Sequence, residues 1–492
     1  LRIAADALPA FLFDTLPVVR LLGIRALLPK ALERLLRPRL SLQVKGQAAD
    51  GGGFLNADDV FGFDWRVAVG DRLLTQEAFE ELVRDATGVI RFKGGYVYLD
   101  PAEIERLRAQ LARPPALSNS ELLRAALAGE YAGAAIGLDD AAQRLLQQLR
   151  EAGDVELPGA IEATLRPYQQ RGYAWLYRNA RLGFGSVIAD DMGLGKTLQV
   201  IATLQKLRDD GALDDAKALV IVPTSLLTNW QKEIARFAPT LSVAVFHGTR
   251  RELATRQGAQ RPDVLLTTYG IARSEAAALK ALAWRVLVVD EAQNIKNPAT
   301  AQTRAVKAIP AGSFIAMSGT PVENRLSEYW SIMDFANRGY LGRLPQFVKE
   351  YAVPIQTHRD QQAVERFRRV TAPFLLRRLK SDRTIIDDLP DKIEQDQYCS
   401  LSAAQSALYE SVVQEGLRVI AGESDTFRRQ GLVLQMILAL KQICNHPAQY
   451  LKQGQADAAL SGKAERFLEL IDEIHASHGK VLVFTQFREM GE

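Results

Sequence analysis

Cysteine is scarce in this 492-residue chain: the two present, Cys399 and Cys444, exclude a disulfide framework and fit reduced thiols of a cytosolic protein. The five histidines, His247, His358, His446, His475 and His478, show no metal-ligand spacing with each other or with the cysteines, so no zinc site is expected. No apolar run approaches the ~20 residues that span a bilayer. The N-terminus lacks the basic-then-apolar layout of a signal peptide. An excess of one charge sign is missing too. Lys plus Arg number 61 against 58 acidic residues, a net +3, so a nucleic-acid partner would have to be met by local basic patches. Internal repeats are absent. What is present is an ordinary globular composition, 47% apolar and 24% charged. Its length suits about two to four domains, each burying its own core.

The most telling stretch is Ala189-Asp190-Asp191-Met192-Gly193-Leu194-Gly195-Lys196-Thr197. It follows the apolar segment 185–188 and opens onto a helix-compatible run at 198–205, which predicts strand, glycine-bearing loop and helix start. That order turns the backbone N–H groups of Asp191 through Thr197 around one concavity, with the positive helix end aimed into it. Lys196 then offers a point charge to the outer phosphates, and Thr197 a hydroxyl ligand to Mg²⁺. The pattern is that of a cradle for a nucleoside triphosphate. A Gly-Lys-Thr loop alone also fits an ordinary turn capped by threonine, and Asp190 stands where the usual pattern has its first glycine.

Downstream, Arg285-Val-Leu-Val-Val-Asp290-Glu291-Ala292-Gln293 puts two carboxylates at the C-terminal end of an apolar strand, the ligand-binding edge of open α/β sheets. Asp290 would hold Mg²⁺, and Glu291 would orient and deprotonate an attacking water. Such pairs also occur as helix caps; together with an upstream cradle they share one metal with Thr197. Ser318 and Thr320 follow the next strand and could touch both the phosphates and a neighbouring lobe, or form a simple turn. Gln169, ahead of an amphipathic helix, has an amide able to pair bidentately with adenine and so to select ATP.

The wider pattern divides the chain. Residues 1–44 are leucine-rich with helical spacing broken by four prolines, and Gly51-Gly52-Gly53 marks a loop. Residues 63–69 alternate as a strand, Thr75 caps a helix through Val83, and 89–92 with 96–99 read as a hairpin. Asp100-Pro101 and the capping box Ser118-Asn-Ser-Glu121 start further helices. Helix followed by hairpin fits a winged-helix-like DNA reader or a packing accessory domain. From about residue 160, apolar strands at 218–222, 263–267, 285–289 and 313–317 alternate with helices, indicating a parallel sheet covered on both faces. Between about 325 and 460 only helical spacing is expected, then a polar linker at 452–462, a helix at 463–476 and a strand at Lys480–Phe484.

In this order the segments resemble the SWI/SNF family of DNA-translocating ATPases within helicase superfamily two. The resemblance rests on Leu165–Leu176, Asp190–Thr197, Val220–Ser225 with Asn229-Trp230, Leu266–Tyr269, Asp290–Asn297 and Met317–Trp330. It continues through Phe374–Lys380, Leu389–Lys392, Gln442–Pro447 and Lys480–Phe487. Asp190 fits that family's phosphate loop, while Gln293 stands where many relatives carry histidine and Glu323 where many carry glutamine.

The resemblance implies an α/β fold: a RecA-like parallel-sheet motor lobe at 156–340 and a helical linker or insertion at 341–460. It also implies only the beginning of a second RecA-like lobe at 461–492, and an N-terminal α+β helicase-associated domain at 1–155. It implies ATP and Mg²⁺ as cofactors, and translocation along double-stranded DNA that remodels or displaces bound proteins, RNA polymerase among them. Strand separation, or a regulatory NTPase switch without DNA, are the competing readings. Phosphate-backbone contacts are expected from Thr224, Ser225, Thr267, Thr268 and Thr485, and the basic patch of Arg366, Arg368, Arg369, Arg377, Arg378, Lys380 and Arg383 could track a backbone or form a solvated, salt-bridged helix face. The expected location is the bacterial cytoplasm, associated with the nucleoid. Starting at Leu1 and ending soon after its last strand, the chain is expected to be a fragment, inactive or weakly active alone for want of the second lobe's arginines.

Overall fold

The computed structural model describes residues 10–22, 36–46, 61–84, 88–92, 95–151, 153–248, 261–319, 325–386, 393–452 and 457–491. The chain divides into two compact units, residues 1–388 and 389–492.

The first unit is organised by a seven-stranded sheet. Its strands are β1 (Ser186–Ile188), β2 (Lys217–Val222), β3 (Val243–Phe246), β4 (Val264–Thr268), β5 (Trp284–Val289), β6 (Ser313–Met317) and β7 (Leu375–Leu376). Their spatial order is β3-β4-β2-β5-β6-β1-β7, and every pairing is parallel. Period-two alternation explains why nearly every residue of the central strands is apolar. Val187, Leu219, Ile221, Leu287, Val289 and Ala316 enter one core, while Ile188, Val220, Val222, Val286, Val288 and Ile315 enter the core on the opposite face. The helices α1 (Pro167–Arg181), α2 (Lys196–Asp209) and α3 (Leu227–Phe237) pack into that second core through Tyr173, Val200 and Trp230. On the other face lies α4 (Leu326–Ala336). The helix α5 (Gln361–Thr371) leads into β7.

The N-terminal region carries a four-stranded sheet in which Pro38–Gly46 lies between Phe61–Val69 and Gly137–Leu138, with Arg72–Leu74 at the other edge. The hairpin Gly88–Phe92/Gly95–Leu99 and the caps at Thr75, Asp100 and Ser118 form as their sequences predict. The core on the first face of the seven-stranded sheet is continuous with Leu42, Val44 and Phe61 of this region.

Three expectations need correction. The described part of 1–44 is not helical throughout: Leu40, Leu42 and Val44 alternate, and Pro38–Gly46 pairs in register with Phe61–Val69. Strands do not vanish after residue 325, because Leu375–Leu376 adds to β1. Lys480–Phe484 is not a strand, since no described residue of the second unit offers it a strand partner. Leu482 and Phe484 there are 84% and 90% exposed.

The second unit holds α6 (Ala403–Gly422), α7 (Thr426–Asn445) and α8 (Gly462–Ala476). Gln405, fully buried, ties them: its amide donates to the Ile443 carbonyl at 2.8 Å and its oxygen accepts the Gly462 N–H at 3.2 Å. His446 Nδ1 accepts the Ala448 N–H at 3.0 Å and Nε2 donates to the Asp457 carbonyl at 2.8 Å, so this imidazole is structural. Among the described residues no helix is long and apolar enough to cross a membrane, and no group of His, Cys, Asp and Glu gathers to hold a metal.

Candidate nucleotide site

The loop between β1 and α2 stands at the C-terminal edge of the sheet. Gly193 and Gly195 have φ of +83° and +75°, a conformation that turns successive N–H groups toward one side and favours glycine. A Cβ on Gly195 would stand 2.3 Å from Gln169 Nε2, so any other residue here would displace that amide as well as strain the positive-φ backbone. Leu194 anchors the loop from within, fully buried beside Tyr168 and Ile386. Lys196 opens α2, and its ammonium donates to the carbonyls of Asp190 at 2.6 Å and Asp191 at 3.2 Å. Burial lowers its pKa, while Asp190, Glu291, Asp290 and Asp191 act in the opposite direction. Thr197 follows on the first turn, half-buried.

The two acids follow β5. Asp290 is 7% exposed; its carboxylate accepts the indole N–H of Trp230 at 2.8 Å and the N–H of Glu291 at 2.8 Å. Burial nevertheless raises its pKa, outweighing those hydrogen bonds and Lys196. The Tyr269 hydroxyl donates to the Asp290 carbonyl at 2.6 Å and fixes the strand end. Glu291 adopts φ +51°, a left-handed turn that bends the chain directly after the sheet. Its carboxylate accepts the Gln293 amide at 2.7 Å, and Ser318 donates to the other end of Gln293 at 3.2 Å. Glu291, Gln293 and Ser318 therefore form a chain between two strand ends. Met192, at the loop tip, packs toward Gly319, where a Cβ would lie 3.3 Å from its Cγ. Thr320 and Glu323 lie outside the described residues.

The sequence misassigned one arginine. Arg378, read as part of a solvent-facing basic patch, is 8% exposed and forms an ion pair with fully buried Asp190. Its Nε donates to Asp190 Oδ1 at 3.0 Å, its guanidinium also donates to the Tyr168 carbonyl, and Nη2 donates to Gln199 Oε1 at 2.7 Å. The start of α1, the phosphate loop and α2 thus meet on one guanidinium. The seam is continued by the main chain: Ala189 N–H to Leu376 O (2.7 Å), Arg378 N–H to Asp190 Oδ1 (2.9 Å), Asp191 N–H to Arg378 O (3.0 Å) and Lys380 N–H to Asp191 Oδ2 (2.9 Å). Asp190 replaces the usual glycine because its carboxylate docks this segment. Gln169 is likewise turned inward, accepting the Arg166 N–H at 2.9 Å and donating to the Leu194 carbonyl at 3.2 Å.

The expected nucleic-acid residues separate into two sets. Thr224 and Ser225 are exposed just past the end of β2. Thr267 is fully buried and donates to the Phe246 carbonyl at 2.9 Å, so its hydroxyl is removed from the contact set. Thr268, 3% exposed, caps the helix at 269–274 with the same oxygen it would have offered to DNA. Thr485 is exposed in the second unit, accepting the Phe487 N–H at 3.2 Å.

With this geometry stand the comparisons with known proteins. Residues 168–449 match the family model described as SNF2-related domain, and residues 1–127 match one described as SNF2 Helicase protein. The chain belongs to the SNF2 family. This SNF2 chain is 36% identical over 495 residues to "Putative ATP-dependent helicase/translocase YwqA" of Bacillus subtilis, covering 96% of this chain and 54% of the relative. It is 34% identical over 342 residues to "TATA-binding protein-associated factor MOT1" of Saccharomyces cerevisiae, covering 64% of this chain and 18% of that protein. The SNF2 chain therefore spans about half the length, or less, of these curated relatives. The solved "Sulfolobus solfataricus SWI2/SNF2 ATPase core in complex with dsDNA" is 42% identical, with a TM-score of 0.46, covering 69% of this chain and 70% of that one.

Proposed function

We propose that this SNF2 chain carries the nucleotide site of an ATP-driven motor that translocates on double-stranded DNA and displaces or remodels what is bound there. The observation that carries the reading is the convergence of Lys196 with Asp290 and Glu291 at one edge of the parallel sheet, each acid acting electrostatically on the ammonium. A triphosphate would replace the loop carbonyls as partner of Lys196 and accept the N–H groups turned by Gly193 and Gly195.

The residues present fit Mg²⁺. A carboxylate whose pKa is raised by burial, as that of Asp290 is, is relieved by a cation, and the Thr197 hydroxyl opens the helix beside Lys196. When bound, the ion would neutralise charge on the transferred phosphoryl group. Glu291 would accept the proton of the attacking water, held by the Gln293 amide. Gln293 and Ser318 would pass the position of that carboxylate to the neighbouring strand end. Gln169 would read adenine with the second N–H and second lone pair of its amide, beyond the partners that already orient it. Thr224 and Ser225 would grip the DNA backbone without reading sequence, and DNA-bound proteins, RNA polymerase included, would be the obstacles moved.

The test is ATP turnover of the whole protein with and without duplex DNA, paired with displacement of a triplex strand and opening of a forked duplex. DNA-stimulated turnover with triplex displacement and no fork opening is expected. Fork opening would make the protein a strand-separating helicase, and turnover indifferent to DNA would make it a regulatory switch.

A further inference from the structure

Outside the expected cradle, one cation stands over the phosphate loop. Lys380 lies two residues beyond the buried Arg378, and its own N–H is held by Asp191 Oδ2 at 2.9 Å. The root of the side chain is therefore pinned beside the loop, although the residue is exposed. Its stem crosses to Gly193: a Cβ there would stand 2.9 Å from Lys380 Nζ and 3.3 Å from Cε. Gly193 is the loop residue with φ +83°, where the backbone is bared toward a ligand.

Charge balance points the same way. Asp190 is paired with Arg378, which leaves Asp191, Asp290 and Glu291 acting on the ammonium of Lys196 among the described residues. A polyphosphate adds further negative charge to a site already short of cations, and one divalent ion does not cover the deficit. A lysine is suited to this place, being a compact charge on a flexible stem that can swing from the loop onto a phosphate.

We propose that Lys380 is a second phosphate-binding cation of this site, delivered to the nucleotide's polyphosphate by the segment that Asp190 and Asp191 dock. The proposal rests on the nucleotide-site reading above and deepens it. It moves Lys380 out of the basic patch expected to track DNA. It also gives the Asp190–Arg378 pair a purpose beyond cohesion, since that pair sets where the lysine begins.

The experiment is equilibrium titration of the chain with ATP and AMP, each competing against a fluorescent ATP analogue, for wild type, Lys380→Ala, Lys380→Arg and Lys196→Ala. Loss of one charge-assisted hydrogen bond predicts about a ten- to hundredfold weaker affinity for ATP in Lys380→Ala. AMP should be affected much less, and Lys380→Arg should recover most of the loss. Because Lys380 is exposed, the melting temperature without nucleotide should stay at the wild-type value, which separates lost binding from lost folding. Wild-type ATP affinity in Lys380→Ala alongside weakened binding in Lys196→Ala overturns the proposal and leaves the nucleotide site standing. Equal losses for ATP and AMP also overturn it, as does weakened duplex binding with ATP affinity intact. A wild-type chain that binds no ATP removes both the proposal and the reading beneath it.

Discussion

Asp190 and Arg378 form a buried ion pair across 188 residues of sequence, joining the phosphate loop to the segment after β7. The guanidinium donates further to Tyr168 and Gln199, so the pair is held by neighbours on both α1 and α2. Removing one partner strands the other in a medium that solvates it poorly. Arg378→Ala is expected to cost about 3–5 kcal/mol in chemical denaturation, and Arg378→Lys to recover little because a single ammonium cannot make the fork of contacts. The double variant Asp190→Ala/Arg378→Ala should be less destabilised than the two single losses added together.

Burial works against the ionised form of Asp290. Its folded pKa lies above the ordinary carboxylate value, so between those two values the folded state binds more protons than the unfolded one. The contribution of this group to stability therefore falls as pH rises through that window. Asp290→Asn should flatten that part of the pH profile of the nucleotide-free chain, while its single amide oxygen can accept from only one of the Trp230 and Glu291 N–H groups. It should also abolish stabilisation by Mg·ATP, worth about 2.7 kcal/mol at a hundredfold excess over Kd in the wild type.

Gln293 bridges Glu291 and Ser318 with both ends of one amide. Gln293→Ala is expected to leave nucleotide binding intact and to free the carboxylate proposed to orient water. DNA-stimulated kcat is expected to fall about ten- to a hundredfold, the equivalent of one hydrogen bond to a charged group, with ATP affinity unchanged. Steady-state turnover alongside nucleotide titration separates the two quantities.

For DNA, the exposed hydroxyls and the buried one make opposite predictions. Thr224→Ala with Ser225→Ala should weaken duplex binding across all sequences without altering ATP affinity. Thr267→Ala should instead cost about 1 kcal/mol of stability through its lost hydrogen bond to Phe246. Binding of duplex by the whole protein should fall with salt by about 0.9 log units per neutralised phosphate for each decade of salt. Flat salt dependence in a filter or anisotropy titration would contradict backbone tracking.

The parts legible in the sequence were those governed by local rules. Apolar runs such as 218–222 and 285–289 announce strands covered on both faces, and the caps at Thr75, Asp100 and Ser118 are written within four residues of the helices they start. Lys196, Asp290 and Glu291 were visible because glycines and strand ends mark them. Arg378 was not: an arginine reads as solvated by default, and only a carboxylate 188 residues away turns it inward. β7 was missed for the same reason, since two residues carry no periodicity and form a strand only by docking on β1. The indole of Trp230 belongs to this class too, donating to Asp290 over 60 residues. Val481–Phe484 shows the converse, a sequence with strand chemistry and no strand partner among the described residues.

The seam from Ala189–Asp191 to Leu376–Lys380 also orders events at the ribosome. The loop and its helix are complete once residue 209 has been made, yet Asp190 then has no guanidinium to meet and stays in water. Only when the chain has grown past Arg378, and that residue has cleared the exit tunnel, can the carboxylate be buried and the cradle rigidified. Contacts of such long sequence separation also form slowly. The order of the chain therefore predicts that the loop around Asp190 becomes fixed only after Arg378 is available, later than the helix it opens.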